Sequence, residues 1–244
     1  MPKEATMRTI IYGDIHGCLD EFKALRVELD LKGEDREISV GDFLDRGPYS
    51  NEVLRYAREN KIELVLGNHE HKYIRYKKHH DAFLQTGKKN PMTFNESKMS
   101  IFENISAEDM AYMEVAPMYL KIDSLTILHA GVTNKLDLNT ATPKELEAVL
   151  RIRTLDENHK TLRLGQTTWN ARFWSEVYDG NQGVIVYGHE AFSKVKIDKH
   201  SFGIDTGCVY GNKLTALVIH DTKEPMLNYD IVQVNAKMTY TQKK

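Results

Sequence analysis

Thr9-Ile10-Ile11-Tyr12-Gly13-Asp14-Ile15-His16-Gly17 decides the fold of this chain: an apolar, β-branched run breaks directly into an acid and an imidazole flanked by glycine. The same pattern recurs twice. Glu37–Val40 reads as a second strand and leads into Gly41-Asp42-Phe43-Leu44-Asp45-Arg46-Gly47, and Ile62–Leu66 as a third, leading into Gly67-Asn68-His69-Glu70. Between them Leu19, Phe22, Leu25 and Leu29 mark one face of a helix. A second helix carries Val53, Leu54 and Ala57, with Pro48 at its expected first position. A polar helix is expected from about His69 toward Phe83. Alternation of this kind favours a largely parallel sheet with helices packed on it.

The second half is richer in strands, which are expected at Met118–Ile122, Leu125–Leu128, Val184–Tyr187, Phe202–Ile204, Leu214–Ile219 and Tyr229–Val234. Helices are expected at Thr142–Leu150, with Pro143 in its first turn, and at Asn170–Tyr178; Gln85–Ser100 reads as a loop. Two of these strands also end in chemistry, at His129-Ala130-Gly131 and Gly188-His189. The reading is α/β, two mixed sheets with helices outside. No linker signal cuts the chain, so one domain over 1–244 is expected, with its core at about 8–220.

Composition narrows the function classes. The 244 residues carry Lys+Arg 33 against Asp+Glu 35, a net charge of -2, with 41% hydrophobic and 28% charged residues. That is a globular balance, with no bulk attraction to nucleic acid or to an anionic membrane. Apolar runs are too short to span a bilayer, and Met1–Met7 lacks an apolar signal core, so a cytoplasmic location is expected. Cys18 and Cys208 make no disulfide framework and fit no zinc spacing; a buried small residue is the simplest reading of Cys18.

Any one of these glycine-flanked motifs reads most simply as a turn. Together they send Asp14, His16, Asp42, Asn68, His129 and His189 to the carboxyl ends of strands, where open α/β sheets form their ligand crevice. Carboxylates crowded there need a proton or cation to compensate them, and mixed oxygen and imidazole donors suit Mn, Fe, Zn or Co.

At these residues the chain resembles the calcineurin-like metallophosphoesterases, within the phosphoprotein phosphatase superfamily. The five motifs occur in that family's order across positions 13–189, with Ala130 where many members have glycine. The resemblance implies the family's fold, a pair of mixed sheets flanked by helices. It also implies two divalent metal ions, manganese first, with iron, zinc, cobalt or nickel as alternatives. Asp14 and His16 would hold the first ion and Asp42 would bridge both. Asn68, His129 and His189 would complete the second, and Asn68 would also meet phosphate. A metal-bridging hydroxide would attack phosphorus. His69 would protonate the leaving oxygen, held by Asp45, and Arg46 would clamp phosphate oxygens through its planar fork. Arg151 and Arg153 are the candidates for a second phosphate ligand, with Arg172 their competitor.

Phe173–Gly180, Val184–His189 and Gly203–Gly211 are similar to the bacterial diadenosine-tetraphosphatase branch, symmetrical and PrpE-type. In this frame Asp205 would lie beside the second metal's histidine. The substrate class implied is dinucleoside polyphosphates, with diadenosine tetraphosphate giving two ADP. The alternative is a serine/threonine or broad-specificity phosphomonoesterase on the same catalytic plan. A small nucleotide or phosphorylated molecule is therefore the expected partner. The Lys72, Arg75, Lys77, Lys78, His71, His79 and His80 helix reads as a solvated face. Trp169 and Phe173, like Trp174 and Tyr178, read as helix-to-core packing, with base stacking as the other option for one of them.

Overall fold

Strand β1 (Thr9–Tyr12) is buried along its whole length because it lies between two layers. Ile11 faces a second sheet, while Ile10 and Tyr12 face the helices together with Phe22 and Leu25, an alternation that follows from the two-residue period of a strand. The computed structural model describes residues 7–243. Residues 1–6, most of the segment read for an export signal, and Lys244 lie outside them.

The first sheet runs β12 (Tyr229–Asn235), β11 (Lys213–Ile219), β1, β2 (Arg36–Ser39), β3 (Glu63–Leu64). Strands β1, β2 and β3 are parallel, connected through α1 (Leu19–Glu28) and α2 (Ser50–Glu59), whereas β11 and β12 are antiparallel additions. The second sheet runs β4 (Tyr119–Ile122), β5 (Leu125–Leu128), β8 (Val184–Tyr187), β10 (Ser201–Gly203), β9 (Lys196–Asp198). Its central β5, β8 and β10 are parallel and its edges antiparallel. The faces meet in one apolar layer: Ile11, Ile38, Val40, Val65, Leu217 and Ile219 against Leu125, Ile127, Val186, Phe202 and Ile204. Each such side chain contributes about 1.5–3 kcal/mol on burial. This is the expected α/β arrangement, and it points the carboxyl ends of β1, β2, β3, β5, β8 and β10 at one another.

Several boundaries moved, each for a local reason. Only Glu63–Leu64 of the third run pairs as strand. Helix α2 starts at Ser50 rather than Pro48, because the turn through Gly47 packs on the first loop: a Cβ on Gly47 would sit 2.0 Å from the His16 carbonyl. Helix α3 runs Asn68–Thr86 and stops at Gly87 in the left-handed region. The stretch read as a loop instead leads into α4 (Glu96–Glu103), capped by Asn95, and α5 (Ala107–Glu114) follows, capped by Ser106. Thr142–Leu150 has the expected capping box at Thr142 and Glu145, but only Pro143–Leu146 (α6) is α-helical before a 3-10 turn.

The helix expected at Asn170–Tyr178 is absent. Arg172–Phe173 (β7) pairs antiparallel with Thr154–Leu155 (β6), and Trp174 donates its backbone N–H to the Arg153 carbonyl at 2.9 Å. The four-residue aromatic spacing fits only in part: Trp174 and Tyr178 are both buried with rings 5.6 Å apart, but a 3-10 turn brings them together, and Trp169 is 94% exposed and does not pack on the core with Phe173. No helix among the described residues is long and apolar enough to cross a membrane.

Candidate metal centre

Three loops at the sheet edge are held with almost no freedom. Glu70, fully buried at the start of α3, accepts the backbone N–H groups of Asp42 at 2.8 Å, Phe43 at 2.9 Å and Leu44 at 3.2 Å. Gly67 is obligatory beside it, since a Cβ there would fall 2.4 Å from both Asp42 Oδ1 and Glu70 Oε2. The residues that carry the chemistry adopt left-handed backbone: His16 at φ 46°, Asp42 at 57°, Asp45 at 67°, Arg46 at 70° and His189 at 70°. Non-glycine residues in that region cost free energy and persist where the surroundings over-determine them, as at functional sites.

Five strand ends bring the expected residues together around Asp42, which is 1% exposed. His16 Nε2 lies 3.6 Å from Asp42 Oδ2 and 3.8 Å from Asp14 Oδ2. On the other side His129 Nε2 lies 3.4 Å from Asp42 Oδ1, 2.9 Å from Asn68 Oδ1 and 3.1 Å from His189 Nδ1. Two groups of metal-competent donors therefore share Asp42: one with His16 and His69, the other with His129 and His189. Asp14 stands beside the first, accepting the His189 backbone N–H at 3.0 Å. The imidazoles are aimed by their far nitrogens, His16 Nδ1 at the Leu44 carbonyl (2.7 Å) and His129 Nδ1 at the Val40 carbonyl (2.9 Å).

The electrostatics fit cations. Burial, then Asp205 and Asp42, hold the Asp14 carboxyl well above its usual range. Burial also raises Asp205 to about 6, offset in part by the Gly207 N–H it accepts. Asp42 is pulled low by His129, His69 and His16 although burial opposes this. Burial drops His16 to about 3 and, with His129 beside it, His189 to about 2, so both rings are neutral and able to donate a lone pair. His16 Nε2 and His189 Nε2 are buried without a partner among the described residues. The His16 nitrogen, 3.8 Å from the Asp14 carboxylate and 3.6 Å from that of Asp42, is costly there unless an ion joins it.

His69 sits at the rim, its Nδ1 2.5 Å from Asp45 Oδ2 and its Nε2 3.7 Å from Asp42 Oδ2. Asp45 also accepts Tyr73 Oη at 2.6 Å and the Lys98 ammonium. Burial alone would raise Asp45, but these donors, His69 first, hold it below the usual carboxylate range. Arg46 is exposed, hydrogen-bonded to the Tyr210 hydroxyl and 5.5 Å above that ring. With Arg153, His189, Glu190 and Lys243 it lines a 490 Å³ cavity beside the donors.

The arginine candidates thus separate. Arg153 is in the cavity wall, paired with Glu190 at 2.8 Å, whereas Arg151 is exposed and not part of that wall. Arg172 is exposed and paired with Glu176 at 3.2 Å. Asp205, expected beside the second histidine, is buried within the charge reach of Arg46, Asp42 and His129, and it helps to raise the Asp14 carboxyl. His71, read as solvated, is 8% exposed. Sequence reasoning missed Glu70, Tyr73, Lys98 and Tyr210. Asn95 was a readable helix cap that would have placed Lys98 on a helix, as Ser106 was for α5; nothing local marks Tyr210.

A two-sheet α/β sandwich with paired oxygen and imidazole donors at its strand ends is the build of a metal-dependent hydrolase. The chain belongs to the calcineurin-like phosphoesterases, whose family model matches residues 7–221, and it is accordingly a hydrolase acting on phosphate bonds. It is 31% identical to the bis(5'-nucleosyl)-tetraphosphatase PrpE [asymmetrical] of Bacillus velezensis, over 94% of this chain and 93% of that protein. With the protein of the same name from Bacillus subtilis it shares 32% identity over 84% of this chain and 88% of the relative. Among solved structures, a candidate diadenosine tetraphosphatase superposes with a TM-score of 0.74 at 22% identity, over 96% of this chain and 95% of the other. A protein serine/threonine phosphatase from Saccharomyces cerevisiae does so at 0.57 and 15%, over 96% and 81%. At those identities the last two speak to fold alone.

Proposed function

We propose that this protein hydrolyses dinucleoside polyphosphates, with diadenosine tetraphosphate as the leading substrate. The observation that carries the reading is the near full-length similarity to tetraphosphatases. The cavity between Arg46, Arg153 and Lys243 supplies cationic side chains beside the donor cluster. The relatives' names carry the word asymmetrical, which for a tetraphosphate means unequal halves. The products favoured are therefore ATP and AMP rather than the two ADP implied by the motifs alone.

Asp14, His16 and Asp42 would hold one divalent ion, and Asp42, Asn68, His129 and His189 a second, with manganese the leading candidate for both. Bound there, the ions would supply Lewis acidity and an activated water. The chain's own residues do the rest. Arg46 meets equatorial phosphoryl oxygens with two parallel N–H groups, and Arg153 turns from Glu190 toward the remaining phosphates. His69 Nε2–H gives its proton to the departing phosphate oxygen. Asp45, through Nδ1, keeps the ring oriented. Tyr73 holds the other carboxylate oxygen of Asp45 and Lys98 shares the one that meets His69, so the carboxylate does not swing away when the proton leaves.

The test is hydrolysis of diadenosine tetraphosphate by manganese-loaded protein, beside a phosphopeptide and p-nitrophenyl phosphate, with products separated chromatographically. ATP with AMP, at far better efficiency than either ester, is the expected result. Two ADP as sole product would move the cut to the centre of the chain. Turnover of the phosphopeptide with an inert dinucleotide would overturn the reading in favour of a protein phosphatase.

A further inference from the structure

Just past the first metal loop in sequence begins a second group of donors, none of them in the cavity wall, that the catalytic reading does not use. Cys18, Glu21 and Cys208 are 1%, 2% and 1% exposed. One ligand atom from each lies within 4.8 Å of the others. They come from distant parts of the chain: Cys18 directly precedes α1, Glu21 lies in its first turn, and Cys208 opens the 3-10 turn after Gly207.

The glutamate is the telling member. Its Oε1 accepts the Lys237 backbone N–H at 2.8 Å and the Tyr240 hydroxyl at 2.7 Å. Its Oε2 is buried and has no partner among the described residues. A carboxylate oxygen stranded in the interior is costly. A disulfide between the cysteines would leave that oxygen stranded, whereas a cation bound to both sulfurs and to Oε2 satisfies all three. We propose that Cys18, Cys208 and Glu21 bind a zinc ion or a similarly thiophilic divalent cation, at a site sharing no ligand with the centre around Asp42.

The dimensions suit this. Bonds of about 2.3 Å to sulfur and about 2.0–2.2 Å to oxygen place tetrahedral ligands roughly 3.3–3.8 Å apart, inside the observed span. The Cys208 thiol is pushed up, first by its hydrogen bond with Cys18 and then by burial. Binding then releases two protons to water with no change of oxidation state. An ion here would clip the C-terminal tail, the start of α1 and the turn after Asp205 together.

Cobalt separates the two centres. Only this site offers thiolates, so only it can produce a thiolate-to-cobalt charge-transfer band in the near ultraviolet. Full-length protein stripped by chelator and reloaded with Co(II) should show the band. It should persist in Asp42→Asn, disappear in Cys208→Ser, and zinc-loaded wild type should carry one more equivalent than Cys208→Ser. Absence of the band from wild type overturns the proposal without recourse to a variant. So does a wild-type mass two hydrogens low with both thiols unreactive after denaturation, which would identify a disulfide. The band does not depend on which phosphate ester is cleaved, so the site and the substrate reading fail separately.

Discussion

The turn after β2 and the long excursion between β5 and β8 each deliver an arginine to the same cavity, and they are held in opposite ways. Around Arg46, every backbone N–H from Asp42 to Leu44 ends on Glu70, and no Cβ fits at Gly67. Around Arg153, the excursion is pinned by a pair of two-residue strands and leaves Leu164 83% and Trp169 94% exposed. Left-handed backbone at Asp42, Asp45 and Arg46 is strain that only a dense hydrogen-bond frame can hold. The tight packing and hydrogen-bond frame therefore sit at the turn that carries Asp42, and the excursion that carries Arg153 is the more exposed of the two.

The sharpest way to break this contrast is Asp42→Ala, which removes the carboxylate common to both donor groups. Activity should fall by about 10³-fold or more, and metal analysis should find fewer ions; retention of both would end the shared-ligand assignment. His69→Asn, at the rim of the rigid turn, should lower kcat by about 10²–10⁴-fold with metal content unchanged. Near wild-type turnover would remove His69 from the proton-donor role.

Glu70→Ala tests the frame itself. Three buried N–H groups lose their acceptor, and urea unfolding should show a loss of about 3 kcal/mol or more. A loss below about 1 kcal/mol would mean that the loop holds itself. Arg46→Lys keeps the charge and loses the fork, so kcat/KM should drop about tenfold, roughly one charge-assisted hydrogen bond. At the soft end of the comparison, Trp169→Ala should change stability by less than about 0.5 kcal/mol. If it raises KM for the dinucleotide and not for p-nitrophenyl phosphate, the exposed indole serves a base. If it unfolds the protein, the excursion is more tightly built than its exposure implies.

The amino-acid sequence alone determined the alternation of β1, α1, β2, α2 and α3 and the donor set at Asp14, His16, Asp42, Asn68, His129 and His189. Those features are written locally: a strand reads as an apolar run, its end as glycine, and the turn chemistry lies in the next few residues. Tertiary structure alone decided what lies between the late histidines. There Trp174 takes the Arg153 carbonyl instead of a helical partner, so aromatic spacing four apart pointed to a helix that does not form. It also decided which arginine reaches the cavity, since Arg151 and Arg153 differ only in which way an irregular segment turns. Lys98 on Asp45, Tyr210 on Arg46 and Cys208 beside Cys18 are contacts across 53, 164 and 190 residues. No local pattern encodes such pairs, because what brings them together is the closing of two sheets over one apolar layer.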